Sequence, residues 1–304
     1  MSGLNMAESL LLMEKDSLRF NYALLHDSNI LKMLLPFAKE KLSKSKKSEI
    51  MEMINDEANK YKYTPTPQLK RGLLKELGDL YNIPHREYVV KQDIVDQCER
   101  IIDRMFLDMK SSNKKFKAFL NNSNLSENPL DAITKYQMMN LIESIGDHKF
   151  DPRQMKEVGD SLEEFFNDLP ETQQKRIAEK LGINNITSSS IQQLIATNGT
   201  AVVFAAIVQV AGFAFYTTLT SVVAGIFGFV GITLPFVFYT TMTSLVAVVA
   251  NPLIFLPALL IGGSFLLHKQ NIKMKKAISP VVLMQILTSA DSGKEPEWEE
   301  ILNG

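Results

Sequence analysis

The chain has 304 residues, a formal net charge of −1 and a single cysteine. That length suits one large domain or two ordinary ones, and the near-zero charge leaves no electrostatic footprint for nucleic acid. One cysteine excludes an intrachain disulfide. The averages hide a two-part chain: of 67 Asp, Glu, Lys and Arg residues, 57 precede Leu181 and ten follow His268. Residues 181–267 carry none, a charge-free run of 87.

The start, MSGLNMAESLLLMEKDSLRF, lacks a basic n-region, and Glu8, Glu14, Lys15 and Asp16 interrupt any apolar core. It does not read as an export signal, so the N-terminal part is expected in the cytosol. Leucine density makes residues 1–38 mostly helical. KEKLSKSKKSE (39–49) is a basic hinge, read either as a solvated linker or as a contact for anionic lipid. TPTPQ (64–68) predicts extended backbone, because residues before proline avoid the α region. Leu73, Leu74, Leu77 and Leu80 recur at helical spacing until Asn82-Ile83-Pro84 stops them. Ile94, Val95, Cys98, Ile101, Ile102, Met105, Phe106 and Met109 mark a long amphipathic helix in which Cys98 fills core space.

Residues 111–129 read as a loop-rich connector, and 130–146 as a helix. A further helix at 155–169 places Leu162, Phe165, Phe166 and Leu169 on one face. Pro170 suits the first turn of the next helix, and Gly182 is placed to end it. No convincing strand precedes residue 180. Residues 181–200, LGINNITSSSIQQLIATNGT, are polar but uncharged, an approach segment to the apolar block beyond them.

Residues 201–267 are overwhelmingly apolar. About 20 helical residues cross a hydrocarbon core, so this is material for two long crossings or three short ones. The soluble alternative is a buried hairpin wrapped by amphipathic helices, as in a pore-forming toxin before insertion. The block also repeats itself. FAFYTTLTSVVAG (213–225) recurs as FVFYTTMTSLVAV (236–248), and aligning 201–223 with 224–246 gives ten identities in 23 positions. Gly212 aligns with Pro235, and both residue types loosen or bend a helix.

By spacing, Gln209, Gly212, Tyr216 and Thr220 share a helical face, with Thr217 and Ser221 beside them. Gly225, Gly228 and Gly231 come next at steps of three, and Tyr239, Thr240, Thr243 and Ser244 repeat the hydroxyl cluster. In lipid such small and hydroxyl residues let backbones approach and hydrogen-bond. The sharper alternative is that these faces line a wet path through a homo-oligomer. With no charge in the block, a proton relay or ion-coupled transporter is disfavoured. Lys269, Lys273, Lys275 and Lys276 flank the block on its C-terminal side and favour the cytoplasm. Both flanks inside requires an even number of crossings, hence a hairpin, with the broken segment 252–267 dipping in and returning. AISPVVLMQILTSA (277–290) reads as a short amphipathic helix, and the acidic tail as exposed, with Trp298 as its anchor.

The predicted fold is therefore all-α: an N-terminal amphipathic helical domain, a hydrophobic transmembrane helical hairpin and a short C-terminal amphipathic helix. The segments are 1–63 (helices and basic hinge), 64–183 (helical cytosolic domain), 184–268 (membrane region) and 269–304 (lysine flank, amphipathic helix and tail). His26, His85, His148 and His268 are scattered without metal-ligand spacing. There is no phosphate-binding loop, dinucleotide glycine pattern or nucleophile elbow, so neither a cofactor nor an enzymatic activity is expected.

The order of LKRGLLKELGDLYNIP (69–84), SLEEFFNDLPETQQKRIAEKLGI (161–183), SSIQQLIATNG (189–199) and AISPVVLMQI (277–286) resembles the YaaW-like family of uncharacterised bacterial proteins. The resemblance covers residues 69–290 and implies a bacterial, membrane-associated, helical protein. Lys275, Lys276 and Ala277 stand where that family usually carries arginine. Two functions fit these features. One is a membrane-disrupting effector of the bacterial inner membrane, toxin-like or acting in abortive infection or anti-phage defence. In it the helical domain would sense or restrain. The other is a membrane-anchored scaffold or assembly chaperone that binds a protein partner through residues 1–183. In both, the lipid bilayer is the first partner.

Overall fold

The computed structural model describes residues 2–26, 56–123, 128–145, 150–216, 218–219, 222, 264–288 and 294–302. Among them every regular element is helical. In chain order the helices are α1 (Ser2–Leu12), α2 (Lys15–His26), α3 (Thr66–Leu80), α4 (Lys91–Ser112), α5 (Lys114–Ser123) and α6 (Pro129–Ile145). Then come α7 (Pro152–Asn167), α8 (Glu171–Leu181), α9 (Ser188–Asn198), α10 (Thr200–Ala211), a 3-10 turn (Gly212–Phe215), α11 (Ser264–Leu287) and α12 (Glu299–Leu302). The hinge 39–49 and the second repeat copy 224–246 lie outside the described residues.

Local chemistry explains most boundaries. Pro65 is extended (φ −59°, ψ 142°) and precedes α3, but Thr66 is already helical. Extended backbone thus ends at Pro65 and residues 66–68 are helical, unlike the extended TPTPQ expected, because Pro67 sits in the first turn, where no N–H is needed. At the far end of α3, Tyr81 N–H and Ile83 N–H both donate to Gly78 O, at 3.1 and 2.9 Å. Asn82 takes the left-handed φ of 54° that closes this cap. Residues 111–129, expected as a connector, contain α5. Phe116 and Leu120, one turn apart, are buried there, and Asn113 Oδ1 accepts from Phe116 N–H at 3.1 Å. Lys114, Lys115 and Lys117 around them mask the apolar pair in the sequence.

The chain forms two units, Met1–Ala132 with Val248–Gly304, and Ile133–Ala247. The division falls within α6 and tracks packing, where the four sequence segments track composition.

In the first unit α1 lies against α4. Gly3 makes the approach possible: a Cβ there would sit 2.8 Å from the Glu99 nitrogen, and Gly3 N–H donates to the Glu99 carboxylate. α2 packs on α3, and α11 packs against α1, α2, α3 and α4. Cys98 is fully buried, and burial pushes its thiol pKa up.

α11 corrects two expectations. Residues 277–287 of the expected short amphipathic helix 277–290 are instead the second half of a 24-residue helix in which Ile278 to Leu287 are all buried. Nor is the tail exposed throughout, since Ile301 is buried and Trp298 is half-buried beneath the Lys91 ammonium. Pro280 within α11 has no N–H to give to the Lys276 carbonyl. Ser279 replaces it, its hydroxyl donating to Lys276 O at 2.9 Å. With that proton committed, the Tyr81 hydroxyl must donate to Ser279 Oγ, 2.7 Å away. Burial holds the Tyr81 phenol above its usual pKa, against the lowering effect of the Ser279 bond.

In the second unit α7 and α9 pack together, and α10 lies on α8 and α9. Gly182 ends α8 in the left-handed region (φ 69°). Phe165, Phe204 and Phe215 converge, with the Phe215 ring centroid 5.1 Å from that of Phe165 and 5.7 Å from that of Phe204.

The Ser279 relay yields a direct test. Ser279→Ala leaves the Lys276 carbonyl without its hydroxyl donor and the buried Tyr81 phenol without its acceptor, and should cost about 1–3 kcal/mol. Chemical denaturation measures it, and adding Tyr81→Phe should cost less than its own single effect, because the two hydroxyls share one bond.

Candidate functional site

The charge-free run begins within the second unit. Thr187 opens α9 as its N-cap: its Oγ1 accepts from Ser190 N–H at 3.2 Å, while Thr187 N–H donates to Ser190 Oγ at 2.9 Å. The next residue is gripped by α7. Ser188 N–H donates to Glu163 Oε2 and its hydroxyl to Asp160 Oδ1, both at 2.7 Å. Two carboxylates thus face a helix N-terminus, where the backbone favours negative charge. The Ser188 hydrogen bond holds the Asp160 carboxyl below the usual carboxylate range. Gly159 admits Ser188 to this contact, since a Cβ there would lie 2.6 Å from Ser188 Oγ.

Gly199 (φ 84°, ψ 152°) then turns the chain, and α10 starts immediately. Its inner side is Val203, Phe204, Ile207 and Val208, all buried, while Val202 is 61% exposed. α10 ends at Gly212 (φ 58°, ψ −136°), a conformation open in practice only to glycine. The chain continues through the 3-10 turn to Tyr216, which is buried and stacked on Phe213 at 5.5 Å.

In this conformation Gln209, Gly212 and Tyr216 do not share the face that their spacing predicts. Their spacing of three and four holds only in an unbroken helix, and Gly212 breaks it: Gln209 is exposed and Tyr216 buried. The capacity of Gly212 to break a helix is legible in the sequence; the loss of register beyond it is not, because it depends on the φ that Gly212 adopts. Thr217, Thr220, Ser221, Gly225, Gly228, Tyr239, Thr240, Thr243 and Ser244 lie outside the described residues. No single described helix is long and apolar enough to cross a membrane. One bent pair, Ser188–Asn198 with Thr200–Phe215, reaches the required length and composition, with a bend of 119°.

The lysines expected to set topology lie in α11, in the first unit. Lys269 is within its backbone range, and Lys273 is exposed. Lys275 Nζ is 3.5 Å from His26 O. Lys276 is half-buried, 2.5 Å from Asp108 Oδ1 and 5.3 Å from the Tyr81 ring centroid. Lys276 is thus tied to α4 and to the end of α3 through side chains that spacing alone does not single out. Among the described residues no group of three His, Cys, Asp or Glu could hold a metal ion. His26 Nδ1 meets a single carboxylate, Glu76, at 2.7 Å.

No family model matches this chain, and neither a curated protein nor a solved structure does.

Gly212 is the testable element. A Cβ there meets nothing within 4 Å, so Gly212→Ala acts through backbone strain alone. It should destabilise the bent form by about 1–3 kcal/mol. A lowered thermal midpoint with increased far-ultraviolet helicity is the expected pair of signals, the second because alanine favours a continuous helix through residue 212.

Proposed function

We propose that the chain is a non-enzymatic, membrane-inserting effector of the bacterial inner membrane, toxin-like or abortive in its role. The single observation that carries this reading is the state of the first repeat copy. Residues 201–216, the described start of a charge-free segment as long as a bilayer crossing, are held in short pieces against α7, α8 and α9. α10 buries one side on α8 and α9, and Phe215 is clamped by Phe165 and Phe204. The surrounding helices thereby act as the restraint.

Insertion then amounts to straightening at Gly212. As one helix, 23 residues span about 35 Å, enough for a hydrocarbon core of about 30 Å. The second copy supplies the return crossing, and the lysines of α11 keep its far end on the cytoplasmic side. The hydroxyls of the two copies serve either to pack the crossings together or to line water in an oligomer. The resemblance to the YaaW-like family is consistent with a bacterial membrane setting and adds no activity.

Ala214 provides the test. It lies near the middle of the first copy and is exposed. Ala214→Lys is therefore tolerated by the folded-back form, whereas at a bilayer centre it costs about 2.5–3.5 kcal/mol. That is about a hundredfold in an insertion equilibrium. Induced wild-type protein should depolarise cells, read with a voltage-sensitive dye, and release dye from anionic liposomes. Ala214→Lys should lose both while keeping its thermal midpoint. Cells that stay polarised with abundant wild-type protein in the membrane would overturn the effector reading and leave the anchored scaffold.

A further inference from the structure

In the first unit, Lys70 on α3 is 3% exposed, and burial that deep suits a lysine only when its charge is paired. Its ammonium has two partners. It donates to Leu11 O at 2.6 Å, one of the last carbonyls of α1, and to the Glu300 carboxylate. Neighbouring Arg71 donates from Nη1 to Ile301 O at 3.3 Å. The Lys91 ammonium at the start of α4 stands 4.1 Å from the centroid of the Trp298 ring. It also lies 3.5 Å from Glu8 Oε1. Ile301 is 1% exposed, so an aliphatic side chain is buried beside the ion pair.

These contacts have the form of peptide recognition: a cation over an aromatic ring, a buried ammonium for one carboxylate, a guanidinium on the backbone and a pocket for an aliphatic residue. Three basic side chains hold one acidic segment, EPEWEEIL. The segment itself is weakly built. α12 has four residues, 294–297 have no regular structure, and Ile301 is its one fully buried side chain among the described tail residues. Few buried apolar contacts place it at the low-stability end of the unit. Its receptor is not weak, since Lys70, Arg71 and Lys91 stand on the long helices α3 and α4.

We infer that Lys70, Arg71 and Lys91 form a binding site for an acidic peptide of the pattern aromatic-x-Glu-Ile, which the chain's own tail occupies and which a protein partner presenting that pattern would take over. The buried ammonium sets specificity. A peptide without the carboxylate at the Glu300 position leaves Lys70 with a single carbonyl partner, the costly case for a buried charge.

Trp298 is the only tryptophan in the chain, so its fluorescence reports tail docking in the intact protein. The probe is a synthetic peptide of residues 294–302 carrying Trp298→Phe, silent at the excitation wavelength. A tethered tail competes at an effective concentration on the order of mM, so half-displacement should fall near that value. Addition to the wild-type chain should shift the Trp298 emission to the red and raise acrylamide quenching several-fold, with saturation. The same peptide carrying Glu300→Gln should be at least tenfold weaker, whereas Glu299→Gln, at an exposed position, should act as the parent does. Within the full chain, Glu300→Gln should raise quenching and Glu299→Gln should not, with circular dichroism checking the fold. Unchanged quenching at saturating parent peptide, or equal potency of the parent and Glu300→Gln peptides, would overturn the site. The readout involves no membrane, so it stands or falls separately from the effector reading.

Discussion

The first unit depends on one topological constraint: its central helix follows the whole second unit in the chain. α11 contributes an unbroken buried stretch from Ile278 to Leu287 and packs against α1, α2, α3 and α4. A helix apolar on all sides requires neighbours on all sides. The N-terminal helices supply them, and their own buried residues, among them Met6, Leu10, Leu18 and Leu24, need α11 in return. The two ends of the chain are therefore parts of one core. Two polar contacts fix α11 in it: Ser279 covers the carbonyl that Pro280 abandons, and Asp108 of α4 meets Lys276.

The second unit relies on a different device. Its helices from α7 to α10 run from 11 to 16 residues, too short to be independently stable in water. They are fixed at their ends. Thr187 caps α9, Asp160 and Glu163 clasp Ser188, Gly182 closes α8, and Gly212 closes α10. The aromatic cluster of Phe165, Phe204 and Phe215 then joins α7 to α10 and the turn beyond it. Each glycine does something a side chain would prevent, and this lets a charge-free chain reverse direction within a few residues.

Period and punctuation were legible in the sequence. The buried face of α4, the burial of Cys98, the glycine end of α8 and the stop after α3 all derive from apolar spacing and cap chemistry, because these are local properties. What could not be read depends on partners distant in sequence. Lys70 shares the helical face of Leu73, Leu74 and Leu77, but its burial requires Glu300, 230 positions away. The apolar run 278–287 reads as a short amphipathic helix until four neighbouring helices are known to surround it. α5 was hidden by its lysines. In the candidate segment, the repeat's spelling predicted one continuous face, whereas a single positive φ at Gly212 separates Gln209 from Tyr216.

The late arrival of α11 carries a consequence for synthesis. A ribosome that has finished the N-terminal helices up to Ala132 must still add the second unit and the whole charge-free run before residues 264–287 exist. At typical elongation rates that interval is on the order of ten seconds. Throughout it, α1 and α2 lack the helix that covers them, while the most apolar stretch of the chain emerges from the same ribosome. The nascent chain thus presents the uncovered faces of α1 and α2 at the same time as a long charge-free stretch. The first unit therefore closes its core only after the second unit and the charge-free run have both been made.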